Sequence, residues 1–158
     1  MKTQLEDAKL RRNTRLNIVP WLRLARIYQR IDRATEMLLR NWDLSVAQFD
    51  ALAQIRASEG LTQQQLADRL LVTKGNISQL LERLEARSLI ERRADGRARR
   101  LYLTRAGRTL AQEVVPAQEG MIAARFSILS EDERAELAHL LRTLDHALNH
   151  SQNEQKGR

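Results

Sequence analysis

Apolar residues in this chain return every three or four positions, except in one short stretch where they alternate. From about Asn17 to Asn41, Trp21, Leu24, Tyr28, Ile31, Met37 and Leu38 keep helical spacing. Pro20 then falls in the first turn, where a missing N–H costs nothing. Residues 1–13 are polar and aperiodic, which predicts a loose tail. A second helix starts at Ser45, whose spacing to Gln48 fits a capping box ahead of Val46, Phe49, Leu52, Ala53 and Ile55, and Gly60 ends it. Thr62 and Gln65 repeat that cap ahead of Leu66, Ala67 and Leu70. Thr73 can cap a further helix, in which Ile77, Leu80, Leu81 and Leu84 follow the i, i+3, i+4, i+7 pattern.

The period then changes. Leu89 and Ile90 open one strand, and Leu101 to Thr104 alternate as a second. Asp95-Gly96 between them is a turn pair that tolerates positive φ. Residues 90–104 therefore predict a β-hairpin, and it carries Arg92, Arg93, Arg97, Arg99 and Arg100. Thr104 can cap a long helix from about Arg105, with Pro116 and Gly120 expected to kink it. Ser130 with Glu133 is another capping box, starting a last helix through about Asn149 with Leu137, Leu140, Leu141, Leu144 and Leu148 apolar. The final residues, SQNEQKGR, read as frayed, and no internal repeat is visible. The expected organisation is mainly α: a flexible tail 1–14, a helix in 15–44, a helix-turn-helix with a two-stranded hairpin in 45–104, helices in 105–150 and a frayed tail 151–158.

Charge adds a direction to this pattern. The 158 residues are 42% hydrophobic, which suits one compact domain or a small domain with helical extensions. The net charge of +7 is uneven: residues 1–33 carry +6, 34–61 carry −2, 62–105 carry +5 and 106–158 carry −2. Two basic blocks separated by acidic ones point to a polyanionic partner, against the plainer reading of a merely basic surface. Cysteine is absent, which excludes disulfides, thiolate metal sites and thiol redox sensing. No run approaches the about 18 apolar residues of a membrane span, and the N-terminus lacks a signal-peptide core. A soluble cytoplasmic protein is expected, with no membrane partner.

On a helical wheel from Thr73, the polar side holds Gly75, Ser78, Gln79, Glu82 and Arg83, with Lys74 and Asn76 at its flanks. Short or hydrogen-bonding residues allow close approach to a major groove, where Asn76, Ser78, Gln79 and Arg83 are candidates for pairing with base edges. Thr73 and Lys74 stand at the N-terminal, dipole-positive end, suited to phosphate. Alone, such a helix is equally an ordinary amphipathic helix with a solvated face. Its context favours DNA, because a short helix precedes it across the tight Leu71-Val72 connection and a basic hairpin follows. Arg97 at the tip fits a minor groove, with Arg99 and Arg100 on phosphates. Asp95 would repel phosphate, but a carboxylate can hold the Arg97 guanidinium extended. The bland alternative is a solvated charge run.

With these elements in place, the stretch LTQQQLADRLLVTKGNISQLLERLEARSLIERRADGRARRLYLTRAG resembles the MarR family of winged helix-turn-helix transcriptional regulators. The marks are L-T-x-x-x-L-A, then L-x-x-L-E-x-x-x-L-I-x-R, then D-x-R and L-T-x-x-G, and the resemblance covers about residues 15–148. It implies a homodimer on a pseudo-palindromic double-stranded operator, most often as a repressor, with 15–44 and 105–150 as dimerisation helices. It implies that helix 73–87 reads the major groove and that hairpin 90–104 is the wing. Asp95 and Arg97 fall on the family's wing pair, but Gly96 stands between them where a basic residue is frequent. The resemblance also implies release by a small, often aromatic, anion. Asp50 and Arg92 match a pair used by urate-responsive members, although the tryptophan those members carry has no counterpart, and Trp21 does not align with it. Trp21, Tyr28, Trp42 and Phe49 could line such a pocket, against the commoner role of aromatics as core.

The rival readings are weaker. His139, His146 and His150 share one face of the last helix, opposite its leucines, with Glu136 nearby. A metal-responsive regulator would use them, but a solvent-facing triple without supporting partners is seldom a zinc site, so neither metal nor cofactor is expected. No phosphate loop or nucleophile motif supports an enzyme. A winged-helix module that binds protein would expose apolar residues on helix 73–87, and this one does not.

Overall fold

The computed structural model describes the backbone of residues 2–96 and 98–156, and side chains within 15–96 and 98–148. The helices are α1 (Lys2–Leu39), α2 (Val46–Ala57), α3 (Gln63–Leu70), α4 (Lys74–Ala86), α5 (Arg105–Phe126) and α6 (Glu131–Lys156). A 3-10 turn, Arg40–Trp42, joins α1 to α2, and the strands are β1 (Leu61–Thr62), β2 (Ile90–Asp95) and β3 (Ala98–Leu103). The chain divides into two compact units, Met1–Gln118 and Glu119–Arg158.

Local chemistry sets the helix starts of the first unit. Ser45 and Gln48 form a complete capping box at 3.0 and 3.2 Å, as do Thr62 and Gln65 at 2.9 and 3.2 Å. Each box satisfies two N–H donors that the first helical turn leaves open. The α3–α4 connection turns through Leu71, which takes positive φ (53°) at the C-cap of α3 and is 87% exposed. The core lies beneath these helices and the sheet: Leu39, Leu52, Ile55, Leu66, Ile77, Leu81, Leu84, Leu101, Leu103 and Val114 are fully buried.

The sheet is antiparallel with order β1-β3-β2, so β1 adds a third strand to the two-stranded hairpin expected from alternation. Two residues are too few to show a period, which is why Leu61-Thr62 read only as a cap. β2 and β3 pair from Ile90↔Leu103 to Asp95↔Ala98, and Gly96 holds φ +58° in the turn. Thr104 anchors the start of α5: its hydroxyl donates to the Ser88 carbonyl at 2.6 Å and accepts from the Gly107 N–H at 3.0 Å. Gly107 passes so close to the residue just before β2 that a Cβ there would lie 1.9 Å from the Leu89 carbonyl oxygen.

Two expectations need correction. α1 begins at Lys2 rather than near Asn17, so residues 2–14 are helical and not a loose tail, and Pro20 lies inside the helix. Residues 2–16 contain neither Gly nor Pro, and ten of the fifteen are Lys, Arg, Leu, Glu or Ala, whose helix propensity favours a helix where no apolar stripe marks the segment. α5 runs from Arg105 to Phe126 with Pro116 and Gly120 inside it. In the second unit, Ser130 and Glu133 cap α6 at 2.7 and 3.3 Å, and α6 continues past Asn149 to Lys156 instead of fraying at 151. No helix among the described residues is long and apolar enough to cross a membrane.

Candidate nucleic-acid interface

α4 turns Ile77, Leu81 and Leu84 into the core and half-buries Leu80, so the apolar face anticipated from spacing is the packed one. Thr73 caps the helix, its hydroxyl accepting from the Asn76 N–H at 3.4 Å. Asn76 is too short to return the second bond of a capping box. Thr73, Lys74, Gly75, Asn76, Gln79, Glu82 and Arg83 are exposed. Ser78 departs from this pattern: it is half-buried and its hydroxyl accepts from Gln63 Nε2 at 2.6 Å.

A cleft of about 510 Å³ opens between the starts of α3, α4 and β3, lined by Thr62, Gln63, Gln64, Lys74, Ile77, Ala98 and Arg99. Two helix N-termini and two cations border it, an arrangement that favours anions. Gln63 and Gln64 escaped the sequence reading; the signal available was their place directly after the Thr62 cap, in the first turn of α3.

The hairpin register sorts the arginines by face, because directly opposed residues share a side. Arg93 and Arg100 face each other on the side of Glu91 and Tyr102. Both are neutralised there. Arg93 binds Glu91 (Nε at 3.0 Å) and stacks 4.5 Å from the Tyr102 ring centre. Arg100 pairs with Asp95 and donates through Nη1 to the Gly60 carbonyl at 2.9 Å, which ties β3 to the loop before β1. The Asp95 bond also raises the Arg100 pKa, keeping it charged. Asp95 thus holds Arg100, whereas its expected partner Arg97 lies outside the described residues. Arg99 sits on the opposite face, with Arg92 and Leu101, and reaches the cleft. Among the described residues the side chains of Lys74, Gln79, Arg83 and Arg99 make no hydrogen bond or ion pair, and remain available.

The residues expected around an effector take several different environments in one protomer. Phe49 is buried in the core, and Trp42 packs at its edge with Nε1–H donating to Glu113 at 3.4 Å. Trp21 and Tyr28 are 64% and 65% exposed along α1. Arg92 turns toward α3 and α4, meeting Glu85 at 2.8 Å and Gln63 at 3.4 Å, and not toward Asp50. Asp50 makes no ion pair among the described residues. Burial, and secondarily Asp32, raises its carboxyl above the usual range. In the second unit, His139 and His146 are exposed and the His150 side chain lies outside the described residues. Among the described residues no group of His, Cys, Asp and Glu could hold a metal ion.

Known proteins share this arrangement. The MarR family model matches residues 42–101. An uncharacterized HTH-type transcriptional regulator of Bacillus cereus is 34% identical over 131 residues, spanning 82% of this chain and 89% of the relative. The HTH-type transcriptional repressor MdtR of Bacillus subtilis is 27% identical over 129 residues, spanning 80% of this chain and 83% of its own. BpsR of Bordetella bronchiseptica, solved to explain regulation of its DNA binding by 6-hydroxynicotinic acid, superposes with a TM-score of 0.68 at 29% identity, covering 77% of this chain and 90% of BpsR. Winged helix, capped recognition-type helix, basic hairpin and sequence kinship agree: the chain belongs to the MarR family and is a DNA-binding transcriptional regulator, not an enzyme.

Proposed function

We propose that this regulator is a homodimeric repressor that lays α4 into the major groove of a pseudo-palindromic operator and its hairpin against the adjoining minor groove. The observation that carries the reading is the set of exposed, uncommitted side chains Lys74, Gln79 and Arg83 from α4 and Arg99 from β3, of which Lys74 and Arg99 line one cleft. Asn76, Gln79 and Arg83 are the base-reading candidates. Thr73, Lys74 and Arg99 take phosphates, and Arg97 enters the minor groove. Arg100, tied to Asp95 and Gly60, shapes the hairpin rather than reaching phosphate. Ser78 is set apart from the base-reading candidates because it is half-buried and turned toward Gln63, from which its hydroxyl accepts.

Dimerisation is supported by apolar surface that one chain leaves uncovered. α1 exposes Leu16, Ile18, Val19, Trp21, Leu22, Leu24, Ile27 and Tyr28, and α6 exposes Leu140, Leu141, Leu144 and Leu148. Patches of this extent are rare on monomers, and a second copy covers them symmetrically. Trp21 and Tyr28 then belong to the dimer contact, not to a pocket. Repression follows the relative MdtR, and release by a small aromatic anion follows BpsR. Selection of bound sequences from random duplex DNA tests the reading. An inverted repeat with half-site centres about 10 base pairs apart is expected, weakened by members of a panel of aromatic acids. Absence of any enriched sequence refutes it.

A further inference from the structure

Gln63 lies at the start of α3 and lines the cleft with Lys74 and Arg99, and both ends of its carboxamide are engaged within the protein. Nε2 donates to the Ser78 hydroxyl of α4 at 2.6 Å, and Oε1 accepts from Arg92 Nη1 of β2 at 3.4 Å. The same guanidinium reaches Glu85 of α4 through Nη2 at 2.8 Å. Ser78 and Glu85 are two helical turns apart on one face. Arg92 therefore grips α4 at two heights, directly through Glu85 and indirectly through Gln63. A single contact would fix a distance; two fix the tilt of the strand as well. The Arg92 side chain is 13% exposed and its Nε–H is buried without a partner, so the guanidinium is held by these two groups and has none in reserve. Arg99 shares the sheet face of Arg92 and lines one cleft with Lys74, so a tilt of the hairpin against α4 changes the spacing between Arg99 and the side chains of α4.

We infer that Gln63 is a positioning residue for DNA recognition: by joining Ser78 to Arg92 it sets the hairpin against α4, and so governs discrimination between operator and other DNA without reading a base. This rests on the reading that α4 and hairpin dock together. Sequence-independent phosphate attraction tolerates a shifted hairpin, whereas simultaneous base and groove contacts do not.

The test compares wild type, Gln63→Leu, Ser78→Ala and the double variant on a duplex selected by the wild type and on a scrambled duplex, with urea denaturation alongside. Losing one hydrogen-bonded link should lower the operator-to-scrambled affinity ratio about tenfold in each single variant. The double variant should lose no more, because both changes cut the same link. Gln63→Glu should restore the ratio: the carboxylate accepts from Arg92 and from the Ser78 hydroxyl, and its added charge cancels between the two duplexes. An unchanged ratio in Gln63→Leu, whatever its stability, overturns the inference alone. Losses that add in the double variant also overturn it, since Ser78 would then read DNA independently. A wild type without operator preference overturns both this and the docking reading.

Discussion

Replacing Gly107 with alanine should damage the junction between hairpin and α5 far more than its single methyl suggests. The new Cβ would stand 1.9 Å from the Leu89 carbonyl oxygen and 2.9 Å from its carbon. Tolerable carbon–oxygen contacts begin at about 3.3 Å, so one backbone must retreat by roughly 1.4 Å. Neither side has a rotamer to turn away. The retreat disrupts a local set of bonds: Thr104 N–H to the Leu89 carbonyl at 3.1 Å, the Thr104 hydroxyl to the Ser88 carbonyl at 2.6 Å, and the Gly107 N–H to that hydroxyl at 3.0 Å. At about 1 kcal/mol each, their loss costs about 3 kcal/mol. Alanine's better helix propensity returns about 1 kcal/mol, leaving a deficit of about 2 kcal/mol before any loss of packing at Leu89 and Ile90. Gly120 is the control, because it lies in the same helix with nothing within 4 Å of its would-be Cβ. Gly120→Ala should stabilise by about 0.5–1 kcal/mol. Urea unfolding followed by circular dichroism, at equal protomer concentration, measures both. Equal stability of Gly107→Ala and wild type, or equal losses in the two variants, would refute the close-approach reasoning.

Arg99→Ala and Arg100→Ala should separate by assay: the first weakens duplex binding with unfolding unchanged, and the second lowers the unfolding midpoint by cutting the tie to Gly60. Arg97→Ala should cost about 1–3 kcal/mol of DNA affinity and leave the fold intact, as titration calorimetry and circular dichroism can check. Asp50→Asn should raise the thermal midpoint at neutral pH. The folded chain holds the Asp50 proton more readily than the unfolded one, so this site favours folding below the unfolded value of 3.8 and loses that favour as pH rises through the raised folded value. The gain from Asn should therefore shrink toward pH 3.8 and below, and a gain that grows on acidification would contradict the assignment.

What was legible in the sequence had a short-range cause. Ser45, Thr62 and Thr73 announce helix starts through bonds that span three residues, and Ile77, Leu81 and Leu84 announce the buried face of α4 through one period. Asp95-Gly96 announces the turn by its backbone freedom. What stayed hidden depends on contacts across the fold. β1 is a strand only because β3 arrives beside it, and Leu61 pairs with Leu101 forty residues on. The commitment of Ser78 to Gln63, and of Arg92 to Glu85, spans 15 and 7 residues and changes the roles expected of both. The hairpin arginines looked equivalent as a charge run. Register divides them: Arg93 and Arg100 are neutralised by neighbours on one face, and Arg99 is left free on the other.

The central claim is that the exposed side of α4 and the hairpin cation Arg99 form one docking surface for duplex DNA. Its most direct test is the affinity of the purified full chain for its selected duplex across a salt series. Neutralisation of about eight phosphates by a dimer predicts that log K falls with log[salt] at a slope of about −7. Failure to bind any duplex at low ionic strength, or binding indifferent to salt, would contradict it.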